Sequence, residues 1–91
     1  MEFEWDDRKS EANEAKHGIP FDEARALWGD RLRVEFELEH AGEQRRGLIA
    51  RYGGSVWFAV WCRRGAAVRI ISVRRATDKE AGLYDRINAD R

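Results

Sequence analysis

Between residues 44 and 77 the chain carries no aspartate and no glutamate, yet eight arginines fall there: Arg45, Arg46, Arg51, Arg63, Arg64, Arg69, Arg74 and Arg75. Other absences narrow the class of protein further. There is a single cysteine, Cys62, so no internal disulfide can form. That fits the cytosol, and Cys62, inside an apolar run, reads as a small buried side chain. Residues 1–7 (MEFEWDD) are acidic and lack the apolar run of a signal peptide. No stretch approaches the ~20 apolar residues that cross a bilayer. A cytoplasmic protein without membrane contact is expected. The two histidines, His17 and His40, are far apart and form no H-x-x-x-H, so no zinc signature exists. Neither G-x-x-x-x-G-K-[ST] nor G-x-G-x-x-G appears, and no cofactor is expected.

What is present is a segregation of charge. Residues 1–44 hold 13 acids against 6 Lys/Arg, a net of −7, and residues 45–91 hold 11 Lys/Arg against 4 acids, a net of +7. The whole is neutral but strongly polarised. A basic strand surface seeks phosphate or carboxylate, and nucleic acid is the commonest polyanion a small protein meets. Arginine suits phosphate because its planar fork binds bidentately and stays charged. Four Trp, four Phe and two Tyr in 91 residues supply a core for one domain, 1–91.

The hydrophobic pattern predicts the order β-α-α-β-β-β-β-α. Phe3 and Trp5 alternate with acids, a short strand signal. Asp6 can N-cap a helix over 7–17 that stops at Gly18. Pro20 opens a second helix over 21–28. Strands are predicted over 31–39, 45–52, 55–63 and 68–73, with hairpin signals at Gly53-Gly54 and Gly65. The strand at 55–63 is apolar on both faces and therefore central. Thr77-Asp78-Lys79-Glu80 is a capping box that opens a C-terminal helix to about residue 89. Strands joined by short turns form an antiparallel meander, and helices on one face of it give an α+β two-layer domain.

On the first helix Lys9, Asn13, Lys16 and His17 share one polar stripe, with only Ala12 and Ala15 apolar. Such a helix either packs through its alanines or displays its polar face. His17 is either a cap for the helix end or a proton carrier, since imidazole titrates near neutral pH. His40 lies in a charged turn. Arg69 falls on a strand face with Ile71 and Val73, so it either pairs with an acid of the first half or lies at an open face. Arg74 falls on the other register or in the exit loop around residues 74–76. Trp57 and Trp61 share a strand face with Ala59, to serve as core or interface, or to stack on bases.

Two blocks carry a resemblance. Phe3-Glu4-Trp5-Asp6, Lys9, Asn13, Lys16-His17-Gly18, Phe21 and Glu23-Ala24 resemble the W-D-x-x-K-x-x-x-N-x-x-K-H-G start of the BrnT toxin family. Arg64-Gly65, the run Arg69-Ile70-Ile71-Ser72-Val73-Arg74-Arg75-Ala76, Glu80 and Tyr84 resemble its second block. Arg63 stands where the family often has an acid, and Pro20 where it often has Ser or Thr. The resemblance implies a RelE-like fold and a bacterial type II toxin that cuts RNA without metal. It implies neutralisation by a cognate BrnA-like ribbon-helix-helix antitoxin in a 2:2 heterotetramer, with DNA reached only through the antitoxin. By motif position it implies Lys9 and His17 for proton transfer and Arg69 and Arg74 for charge stabilisation. Arg45, Arg51, Arg63, Arg64 and Arg75 would then hold the RNA backbone. The alternative is a non-catalytic module that binds RNA or antitoxin and acts as corepressor.

Overall fold

Asp6 starts the first helix as the sequence predicts. In the computed structural model, which describes residues 1–90, its carboxylate accepts from the backbone N–H groups of Arg8 (2.9 Å) and Lys9 (3.2 Å). Gly18, at φ 83°, takes the left-handed position that ends the helix. The elements are β1 (Glu2–Glu4), α1 (Asp7–His17), α2 (Phe21–Ala24), β2 (Val34–His40), β3 (Glu43–Tyr52), β4 (Ser55–Arg64), β5 (Ala67–Arg75) and α3 (Asp78–Asn88). The class is α+β in the predicted order. The second helix is shorter than predicted: it is α only to Ala24 and tightens to a 3₁₀ segment over Arg25–Gly29. The strand expected from residue 31 begins at Val34. Asp30 holds the preceding residues in a turn, its Oδ1 accepting from the Leu32 N–H (2.9 Å) and its carbonyl from the Arg33 N–H (3.1 Å).

The five strands form one sheet in the order β1-β5-β4-β3-β2. β2 to β5 make the expected antiparallel meander, while β1 joins the far side of β5 in parallel, so the sheet is mixed. The β2–β3 hairpin closes through Ala41 (φ 51°) and Gly42 (φ 79°), both left-handed as a two-residue turn of matching twist requires.

The helices do not all cover one face, which corrects the two-layer expectation. On one face α1, α2 and the 3₁₀ segment bury Leu48, Ala50, Trp57, Ala59, Trp61, Val68, Ile70 and Val73 around Phe21, Leu27 and Trp28. On the other, α3 covers Ile49 and Phe58 with Tyr84, and the half-buried Val34, Phe36, Leu38, Val56, Val60 and Leu83 pack around them. The cause is β4, whose apolar residues point both ways and need cover on both sides.

α1 is joined to the sheet by polar groups. Its buried residues are Ser10 and Asn13, whereas Ala12 and Ala15 are exposed, so packing through alanine is corrected. The Ser10 Oγ accepts from the Phe21 N–H at 2.8 Å. Asn13 donates to the carbonyls of Ile19 and Val73, both at 2.8 Å, and accepts from the Val73 N–H at 3.1 Å. β1 pairs with β5 only as far as Arg69, so Asn13 fills the place of a strand beside Val73. Each such buried bond contributes on the order of 1 kcal/mol, and each buried group left unpaired costs more.

Candidate nucleic-acid interface

β5 contains a bulge that the alternating pattern hides. Val60 faces Ser72 but Trp61 faces Ile70, so Ile71 is an extra residue. The bulge inverts the parity of everything after it. Val73 therefore lies with Ile70 on the α1 face and not beside Arg69, which corrects the predicted face. Arg74, expected on the other register or in the exit loop, lies within β5 on the same face as Arg69, opposite Phe58 on β4. Two cross-strand rows define this α3 face: Val34–Ile49–Phe58–Arg74 and Phe36–Gly47–Val60–Ser72. Arg45, opposite Leu38, and Arg69, opposite Cys62, flank the next row. Cys62 is half-buried on that face rather than buried. Arg45 and Arg69 stand two strands apart, about 10 Å at the usual strand spacing.

The arginines of this face are held in defined poses. The Arg74 guanidinium forks onto the Glu80 carboxylate (2.8 and 3.0 Å) and lies 4.4 Å from the Phe58 ring centre. That hydrogen bond holds the Glu80 carboxyl below its usual range, against the opposing effect of burial, and it raises the Arg74 pKa. Arg69 meets Glu4 at 3.4 Å, pairing with an acid of the first half, and Arg64 meets the same oxygen at 3.3 Å. Arg45 is 3.2 Å from Glu43, and its buried Nε has no hydrogen-bond partner. Arg51 lies over Tyr84 (5.6 Å) and 3.7 Å from Asp85.

The remaining expected residues lie elsewhere. Lys9 is exposed and His17 half-buried on α1, one turn either side of Asn13. Neither side chain makes a hydrogen bond or ion pair among the described residues. They belong to the layer across the sheet from Arg69 and Arg74, alongside the open edge of β5. Arg75 is exposed on the α1 face with its guanidinium 5.3 Å from the Trp57 ring centre. Arg63 is exposed on the same face beside Trp61 at 5.6 Å. Trp57 and Trp61 are core residues, 7% and 2% exposed, and offer no surface to a base or a partner.

Two residues in this arrangement escape sequence reasoning. Asn13 reads as part of a polar stripe and of the first family block, without any role, yet it fixes β5 at the residue before Arg74. Asp30 carries no mark in the sequence, yet its Oδ2 accepts from the Arg51 N–H (2.8 Å) and the Tyr84 hydroxyl (2.7 Å), joining α3 to β3. Burial alone would raise its pKa; these bonds and the one from Leu32 outweigh burial and lower it. The Tyr84 hydroxyl is pushed up by burial and by that same bond. Val73, Arg51 and Tyr84, the partners that tie these two residues to β5, β3 and α3, are far away in sequence, and the family blocks that hold Asn13 and Tyr84 are the only signal.

Among the described residues no group of three or more His, Cys, Asp and Glu is placed to hold a metal ion. No helix is long and apolar enough to cross a membrane. The small α+β domain thus presents positioned arginines on a half-open sheet face. The chain belongs to a family described as ribonuclease toxin, BrnT, of type II toxin–antitoxin system, whose model matches residues 5–80. No curated protein matches the chain. The family brings ribonuclease activity, an RNA target and an antitoxin protein partner.

Proposed function

We propose that this protein is a RelE-like toxin that cuts RNA without metal in the cytoplasm, and so stops translation and growth. The observation that carries the reading is the Ile71 bulge, which sets Arg69 and Arg74 on one sheet face with Arg45 beside them. Cleavage begins when a 2′-oxygen attacks the adjacent phosphorus and the bond to the 5′-oxygen breaks. A 2′,3′-cyclic phosphate and a 5′-hydroxyl result. Arg69 and Arg74 stabilise the added negative charge at phosphorus, an effect worth a factor of about 10²–10³ per donor. Lys9 and His17 are the proton-transfer candidates, reaching RNA where it crosses the open edge of β5. Arg45, Arg51, Arg63, Arg64 and Arg75 hold flanking phosphates. The test is incubation of the purified protein with RNA in EDTA. Cleavage that leaves 5′-hydroxyl ends supports the reading; a need for Mg²⁺, or 5′-phosphate ends, overturns it.

The antitoxin in this reading is a BrnA-like ribbon-helix-helix protein. It dimerises, carries one toxin on each arm as a 2:2 heterotetramer, and supplies all contact with DNA. Its apolar anchors cannot be Trp57 and Trp61. A groove of about 480 Å³ between β2 and α3, lined by Phe36, Leu38, Leu83, Lys79 and Arg86 among others, provides apolar and cationic surface in their place.

One observation favours a second reading. Arg74 is already forked onto Glu80 and Arg69 already meets Glu4. Cations so neutralised suit a module that binds but does not cut, acting as corepressor with its antitoxin. Binding of RNA without cleavage would decide for it.

A further inference from the structure

On the α1 face, at the end of the sheet away from α3, the arginines are arranged differently. Arg46 is the cross-strand neighbour of Trp61, and Arg63 follows Trp61 by two residues on the same face. Their guanidinium carbons lie 5.5 and 5.6 Å from the centre of that one indole ring. Trp61 is 2% exposed, so the ring is a fixed platform for both cations. Arg45, Arg46, Arg63, Gln44 and Glu37 line a cavity of about 280 Å³ beside it.

The charges there are under-compensated. Glu37 reaches Arg46 at only 3.8 Å and is itself 74% exposed, so solvent screens that pair. Arg63 has no carboxylate within 4 Å among the described residues, whereas Arg45, on the other face, is paired with Glu43 at 3.2 Å. Two guanidinium groups held to one ring repel each other, and an anion between them relieves the repulsion. Stacking on the indole also removes much of the entropy cost of ordering the side chains.

We propose that Arg46 and Arg63 on Trp61 form a second phosphate subsite that holds one internucleotide phosphate of the RNA strand away from the cleaved bond. This rests on the ribonuclease reading above and adds a path to it. Arg63 and Arg64 are successive residues at the end of β4 and point to opposite faces, as do Arg45 and Arg46 at the start of β3. RNA leaving Arg69 on the α3 face therefore passes Arg64 and Arg45 and rounds the end of the sheet to reach Arg46 and Arg63. Short RNA that meets only Arg69 and Arg74 does not reach the subsite; longer RNA does.

The experiment compares Arg63→Ala and Arg46→Ala with wild type, using a dinucleotide substrate and a longer single strand across a salt series. Arg31→Ala, an exposed arginine in the turn before β2, is the control for loss of one surface charge. Arg46→Ala is expected to raise KM on the long strand about tenfold. It leaves kcat and the dinucleotide reaction unchanged and reduces the log–log salt slope by about 0.7, one single-strand contact. Arg46→Lys should restore most of the slope but only part of the affinity. If Arg63→Ala and Arg46→Ala match Arg31→Ala while wild type remains salt-dependent, the subsite is overturned and the ribonuclease reading stands. If wild type neither cuts nor binds RNA in a salt-dependent way, that reading falls and the subsite with it.

Discussion

Asn13 of α1 and Val73 of β5 are joined by two hydrogen bonds, the Asn13 amide donating to the Val73 carbonyl at 2.8 Å and its oxygen accepting from the Val73 N–H at 3.1 Å. One side chain thus pairs with a strand edge as a neighbouring strand would. It satisfies the backbone of an edge that β1 leaves open beyond Arg69. Because Arg74 is the next residue, the clamp also fixes where that guanidinium starts.

Asn13→Ala should therefore destabilise the fold by about 2–4 kcal/mol, since the Val73 and Ile19 groups are left buried without partners. Asn13→Asp should be at least as costly, because a carboxylate accepts from Val73 but cannot donate to the two carbonyls. Urea unfolding checks both. A loss under about 0.5 kcal/mol, the level of an ordinary surface change, would show that the clamp carries no stability.

Ala41 is the one non-glycine residue at positive φ among the described residues, at 51°. Ala41→Asn makes the Asn-Gly pair that this turn favours and relieves a strain of about 1 kcal/mol. The midpoint of thermal unfolding should rise by roughly 4–8 °C. A fall would show that the β2–β3 turn is not the left-handed pair described.

Gly47 shows how closely β2 and β3 approach on the α3 face. A Cβ there would stand 2.5 Å from Phe36 Cε2, so Gly47→Ala must push the Phe36 ring aside. The cost should be about 1–3 kcal/mol. Gly47→Ala combined with Phe36→Ala removes the clash and should cost less than the two single changes added together. Simple additivity in that cycle would refute the contact.

Much of this fold is legible in the sequence, and the exceptions share a cause. The caps at Asp6 and Thr77 and the alternation of Val34, Phe36 and Leu38 are local signals, and they hold. The apolar faces of β4 announce a covered central strand, and even imply cover on both sides. The Ile71 bulge leaves no such mark, because Ile-Ile-Ser carries no glycine and reads as continuous strand. Val73 lies 60 residues from Asn13, and Tyr84 lies 54 from Asp30, beyond any spacing rule. The candidate site is legible as residue types, through the acid-free run and the two family blocks. Its assembly is not, because one inserted residue decides which arginines share a face.

The Arg74–Glu80 fork makes stability depend on pH in a defined direction. The hydrogen bond from Arg74 holds the folded Glu80 pKa below the ordinary glutamate value of 4.5, with burial opposing. A carboxyl whose pKa is lower folded than unfolded adds stability above the unfolded value, and loses it as pH falls through the folded one. Wild type should thus exceed Glu80→Gln in unfolding free energy at pH 7. The gap should begin to close below about pH 4.5 and vanish at lower pH. A gap that is constant down through that range would show that Glu80 acts through shape alone.

The order of kinetic losses tests which side of the sheet does the chemistry. Arg69 and Arg74 share the α3 face, whereas Lys9 and His17 stand on α1 across the sheet. If charge stabilisation at phosphorus dominates, Arg69→Ala and Arg74→Ala should each lower kcat by about 10²–10³. His17→Ala and Lys9→Ala should then cost less, because each reaches RNA only past the edge of β5. Arg74→Lys is the sharper probe: it keeps the charge but loses the fork onto Glu80 and the planar stack on Phe58, so it should recover only part of the rate. Glu80→Gln separates two roles for the fork. It frees Arg74 of its carboxylate, so RNA should bind more tightly if phosphate and Glu80 compete for the same guanidinium. If Glu80 instead holds Arg74 in its working pose, kcat falls while affinity changes little. Should His17→Ala prove costlier than Arg74→Ala in single-turnover measurements, the reacting phosphate lies at the α1 side of β5 and not on the arginine face.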